Sequence, residues 1–205
     1  MIIHKSYKHG WFYHYRIHVP KTEMLCQNGF SSLKLYLHDV RDNCPDDYFQ
    51  SGPRSSGIKR QFDVEMKKIK GHEVSALAEA GLEADRYNTA HTNVQMFMLQ
   101  NDNKTISIEV PIWLLDHEHP DYASIFQSKE VLTGHIDALR IEDDNIWIWD
   151  YKPNAIKEKY AATQVNFYAL MLSQRTGISL DKFRCGYFDD VHAFVFKPQN
   201  RFVLK

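Results

Sequence analysis

The chain predicts an α/β sandwich, a mixed β-sheet flanked by helices, with a small N-terminal β appendage. Three features of the 205 residues point there. Apolar runs with the two-residue period of strands, TISIEVPIWLL and the pair HIDALRI and IWIWDYK, fill the middle of the chain. Segments with helical period lie before and after them. A content of 43% hydrophobic and 25% charged residues suits one domain with its own core.

Residues 11–19, WFYHYRIHV, put Trp11, Tyr13, Tyr15 and Ile17 on one side and Phe12, His14, Arg16 and His18 on the other, which is strand alternation. The run SLKLYLHDV at 32–40 reads as a second strand able to pair with it. A loop follows in RDNCPDDYFQSGPRSSGIKR, rich in Pro, Gly, Ser and Asp. It divides the appendage and loop, residues 1–59, from a main domain, residues 60–205. From about Gln61 to Glu83 the stripe Met66, Ile69, Leu77 and Ala80 predicts a helix, with Gly71 a weak point inside it and Gly81 its end or a bend. TISIEVPIWLL is the next strand, and DHEHPD a polar loop. Residues 135–141 and 146–152 then form a hairpin turning about EDDN. KEKYAATQVNFYALMLSQRTG predicts a helix closed by Gly177, and FRCGYF with VHAFVFKP a last hairpin about Asp189 and Asp190.

Charge narrows the function classes. Twenty-five Lys and Arg stand against 26 Asp and Glu, a formal charge of -1, so no global basic field draws the chain to nucleic acid. An anionic partner has to be held locally. The first residues lack the apolar core of a signal peptide and no apolar run reaches membrane length, so the expectation is a soluble, cytoplasmic protein without membrane contact. Cys26, Cys44 and Cys185 are odd in number and far apart, which suits reduced thiols better than a disulfide framework. His117 and His119, two apart in a Pro-containing loop, make a poor zinc pair.

The hairpin about EDDN carries the chemistry. It brings Asp137 and Asp150 to the same end of two adjacent strands, away from the turn. Two close carboxylates repel unless a hard cation such as Mg²⁺ or Mn²⁺ sits between them. Lys152, two residues after Asp150, projects to the same face and can orient a water or offset charge at a phosphorus centre. This is equipment for metal-assisted phosphodiester hydrolysis. Gln164 and Tyr168, four apart on the following helix, share one face where an amide and a phenol can touch a phosphate or a base. The plainer alternative is a solvated strand end beside an ordinary core tyrosine.

GHID at 134–137, DYK at 150–152 and QVNFY at 164–168, in that order and spacing, resemble the RecB-type branch of the PD-(D/E)xK nuclease superfamily, which includes CRISPR-associated exonucleases. The resemblance extends over roughly residues 60–200. It implies a restriction-endonuclease-like core and a Mg²⁺- or Mn²⁺-dependent deoxyribonuclease acting on DNA single strands or duplex ends as an exonuclease or end-processing enzyme. It also implies Asp137, Asp150 and Lys152 as catalytic residues, Asp137 and Asp150 as metal ligands with the Tyr151 backbone carbonyl beside them, and Gln164 and Tyr168 as substrate contacts. Relatives carry a further His ligand on the first core helix, matched here to His72 of GHE, with Glu73 and Glu79 as fallbacks and Glu109 behind them. Many relatives hold an iron-sulfur cluster, but three scattered cysteines cannot supply the usual four ligands, so none is expected. With no nucleotide-binding glycine loop, unwinding would need a helicase or another delivering partner. A catalytically silent nucleic-acid-binding or assembly module on the same fold is the alternative. In the appendage, HKSYKHGWFYHYR mixes basic residues with aromatics able to stack unpaired bases, although a half-buried sheet face is the preferred explanation of the pattern.

Overall fold

Eight strands share one mixed sheet in the computed structural model, which describes residues 1–200. The last five positions of the expected main domain, 201–205, lie outside the described residues. In chain order the elements are β1 (Ile2–His9), β2 (Trp11–His18), α1 (Val19–Leu25), α2 (Ser31–Asn43), β3 (Met66–Lys70), α3 (Glu73–Ala84), α4 (Ala90–Asn101), β4 (Thr105–Leu114), α5 (Tyr122–Phe126), β5 (Leu132–Glu142), β6 (Asn145–Tyr151), α6 (Ala161–Thr176), β7 (Phe183–Phe188) and β8 (His192–Phe196), with short 3₁₀ turns between. Across the sheet the order is β1-β2-β4-β5-β6-β7-β8-β3, with β6 and β7 the parallel pair. Alternation along β6 divides two apolar clusters. Ile146 and Ile148 join α2 and α6, whereas Trp149 and Tyr151 join α3 and α4. No helix among the described residues is long and apolar enough to cross a membrane.

The central hairpin forms as its sequence predicts. Asp143 and Asp144 both take positive φ, 49° and 56°, the two-residue turn whose twist matches the strands it joins. Gly177 caps α6 at φ 69°, and β7 and β8 form the last hairpin.

Three expectations are corrected. SLKLYLHDV is not a strand but the body of α2: Leu33, Tyr36, Leu37 and Val40 are buried at i, i+3, i+4 and i+7 while Leu35 is exposed. The partner of β2 is instead β1, folded back through Gly10 at φ 76°. The helix expected over 61–83 starts only at Glu73, because Met66–Lys70 adds to the open edge of β8 as a strand. Lys67, Lys68 and Lys70 guard that new edge. Gly71 turns at φ 69° between the two elements, and Gly81 lies inside α3, where a Cβ would meet the backbone of Val94 and Asn93 at 3.0 Å. The N-terminal strands are joined to the sheet, since β2 pairs with β4 at Arg16↔Ile108 and Ile17↔Ser107.

Candidate metal centre and cleft

The last backbone pair of the central hairpin is Ala138↔Trp149, so β5 and β6 part just where Asp137 and Asp150 stand. Their carboxylates open into a cleft of about 540 Å³ lined by β2, the 54–56 turn, α4, β4, β5 and α6. Asp137 Oδ2 accepts the Tyr151 amide N–H at 2.8 Å and lies 2.9 Å from His91 Nε2. Asp150 is buried, with Oδ1 3.3 Å from Gln164 Nε2 and Oδ2 2.7 Å from Lys152 Nζ. Lys152 is thus the ion-pair partner of the buried Asp150 Oδ2.

Two further side chains that could hold a metal come from elements that the sequence did not mark or ranked low. Thr89 caps α4 by accepting the Thr92 amide, and His91 and Gln95 then share the inward face. Glu109 sits in the middle of β4 at φ 52°, a left-handed conformation that costs a non-glycine residue about 1–3 kcal/mol. The twist breaks strand alternation: Ile108 packs under α3 and α4, and Val110 packs in the cluster with α6. Glu109 is thereby turned toward the cleft, where it accepts a 2.6 Å hydrogen bond from Gln95 Nε2. One ligand atom each from His91, Glu109 and Asp137 lies within 4.8 Å of the others.

His72 does not join them. It caps α3, its Nδ1 accepting the Val74 amide, and its ring packs 5.3 Å from that of Trp149. His72 does not line the cleft that Asp137 and Asp150 share. The histidine that the structure brings beside Asp137 is one helix later, at His91. Glu73 is taken up by Lys104 and Arg140, and neither it nor Glu79 lines the cleft. The Thr89 cap and the stripe His91, Val94, Gln95, Met98 were the available signal for α4.

Burial and close charges shift the titration of every ionisable group at this centre. Burial, then the nearness of Asp137, pushes Asp150 and Glu109 up to about 7. Burial also pushes Asp137 up, but His91, Lys152 and the Tyr151 amide outweigh it and hold the carboxyl below its usual range. Asp137 in turn raises His91 to about 9. Lys152 is held above its ordinary value because Asp150 and Asp137 outweigh its burial, so it stays an ammonium and acts as a fixed charge. The Glu109 and Asp137 carboxylates and the His91 imidazole, with the Asp150 carboxylate beside them, fit a hard divalent cation.

Gln164 and Tyr168 are beside this centre. Gln164 Nε2 spans Asp150 Oδ1 and the Tyr168 hydroxyl, the latter at 2.6 Å. Gly134 is required by that approach, because a Cβ there would lie 2.5 Å from Tyr168 Cε1 and Ser55 Oγ. The start of β2 lines the cleft with Trp11 and Phe12, 76% and 59% exposed.

A family model for the PD-(D/E)XK nuclease superfamily matches residues 48–200. No curated protein and no solved structure matches the chain.

Proposed function

Since the chain belongs to the PD-(D/E)XK nuclease superfamily, we propose that it is a Mg²⁺- or Mn²⁺-dependent deoxyribonuclease that hydrolyses phosphodiester bonds at strand ends. The observation that carries the reading is the convergence of His91, Glu109 and Asp137 within 4.8 Å, beside Asp150 and Lys152, on an open cleft. A bound divalent ion would lower the pKa of a coordinated water and offset charge on the phosphoryl oxygens. Asp137, Asp150, Glu109 and His91 would hold it, with the Tyr151 carbonyl a further ligand by family resemblance. Lys152 stands 2.7 Å from Asp150, close enough to orient the attacking water and to stabilise negative charge developing on phosphate. Gln164 and Tyr168 would steady the strand next to it.

Strand ends or single strands suit the cleft for two reasons. The near-neutral chain has no net positive charge to draw it onto a long duplex, which favours delivery by a helicase or another partner. Trp11 and Phe12 offer rings on which unpaired bases can stack. A silent binding module has no use for a full carboxylate set held with strain at Glu109. Calorimetric titration of Mn²⁺ separates the two: the nuclease reading expects binding that is lost in Asp137→Asn, and equal binding by both proteins would overturn it.

A further inference from the structure

A second group of ligand atoms lies behind the cleft. His9 ends β1, Cys44 follows α2, and Asp46 begins the next 3₁₀ turn. One ligand atom from each lies within 4.8 Å of the other two. His9 Nε2 is 3.0 Å from Asp46 Oδ1 and 4.0 Å from Cys44 Sγ. We propose that His9, Cys44 and Asp46 form a site for a zinc-class divalent ion, separate from the cleft centre.

The donor set selects the ion. A thiolate, an imidazole and a carboxylate are zinc ligands, whereas Mg²⁺ and Ca²⁺ avoid sulfur. Tetrahedral coordination at zinc distances places nitrogen about 3.4 Å from oxygen and about 3.6 Å from sulfur. The pairs at 3.0 and 4.0 Å each need a shift of only about 0.4 Å to meet that geometry. Asp46 can make its part of the shift freely, since its side chain is 61% exposed, and it leaves a path for the ion and a fourth position for water.

His9 is already held in the orientation a ligand needs. It is fully buried, its ring stacked 3.8 Å from that of Phe49 and 5.0 Å from that of Tyr7. Its Nδ1 pairs with His135 Nε2 at 2.9 Å, and Arg54 donates to its carbonyl. A histidine whose second nitrogen is fixed by a partner presents the first as a directed ligand. His135 also lines the cleft two residues before Asp137, which makes it a physical link between the two centres.

The rival is a plain hydrogen-bonded cluster in which Asp46 accepts from both neighbours. Cobalt distinguishes them without any assay of activity. The full chain, stripped with a chelator, is titrated with Co²⁺ and followed by absorption. The proposal expects a thiolate-to-cobalt charge-transfer band in the near ultraviolet with visible bands of a tetrahedral site, the charge-transfer band reporting this site alone and resisting excess Mg²⁺. Cys44→Ser should abolish the charge-transfer band, Asp46→Asn should weaken cobalt affinity at least tenfold, and Asp137→Asn should leave the band intact. If Cys44→Ser does not fold, the exposed Asp46→Asn substitution still carries the test. Absence of the band in the parent, its survival in Cys44→Ser, unchanged affinity in Asp46→Asn, or its loss in Asp137→Asn would each overturn the site. Failure of the nuclease reading would leave these results untouched.

Discussion

Replacing Asp150 by Asn should stabilise the metal-free protein, and by an amount that depends on pH. Asp150 is buried beside Asp137, and its pKa is raised from 3.8 to about 7. A carboxyl raised in the folded state contributes stability that is fully present below its unfolded pKa and is lost as pH rises through the folded one. The loss therefore accumulates between about pH 4 and pH 7 and is complete above. The full difference corresponds to about 4 kcal/mol. Lys152 loses its partner in the variant and the carboxylates titrate together, so a net gain on the order of 2 kcal/mol is expected at pH 8. For a chain of this length that is a rise of roughly 4–8 °C in Tm. Asn keeps the volume and an oxygen facing Gln164, so packing is unchanged. Thermal melts in EDTA from pH 4.5 to 8 should show the variant and parent converging at the acid end and the variant ahead at the basic end. Adding Mn²⁺ should reverse the order at pH 8, because only the parent binds it tightly. A variant less stable than the parent at pH 8 without metal, or a gap that does not change with pH, would refute the electrostatic argument.

Three other outcomes follow from the site. Lys152→Ala should slow cleavage by about two orders of magnitude or more while Mn²⁺ affinity measured by calorimetry changes little, since the role proposed for the ammonium is on water and phosphate; parallel loss of metal binding would make it a structural support. His91→Ala should weaken Mn²⁺ binding at least tenfold, whereas His72→Ala should leave it unchanged and cost about 1 kcal/mol of stability through the lost α3 cap; the reverse pattern would restore His72 to the centre. Gln164→Ala and Tyr168→Phe should lower affinity for single-stranded DNA measured in Ca²⁺ without lowering Mn²⁺ affinity, and unchanged DNA binding in both would remove α6 from the substrate side.

The core of the site was legible because a hairpin is a local object. Alternation in β5 and β6 and the EDDN turn set the register, and the register alone puts Asp137 opposite Asp150. Gln164 and Tyr168 followed from helical spacing in the same way. What was not legible depended on pairing across the chain. Nothing within SLKLYLHDV says that β1 would take the place beside β2, although its buried stripe at i, i+3, i+4 and i+7 was there to be read. MKKIK looks helical until the open edge of β8 offers it backbone partners. His72 and His91 compete for one role, and only the assembled sheet shows that the first lies on the Trp149 side and the second beside Asp137. Glu109 turns to the cleft through a backbone angle that no residue pattern announces.

Cleavage of end-labelled single-stranded and duplex oligonucleotides by the parent, Asp137→Asn and Asp150→Asn, with Mg²⁺, Mn²⁺ or EDTA, tests the central claim most directly. The account predicts labelled products from the parent in Mg²⁺ or Mn²⁺, none in EDTA, and rates at least about 100-fold lower in both folded variants. Cleavage that persists in EDTA, or proceeds equally in all three proteins, would contradict it.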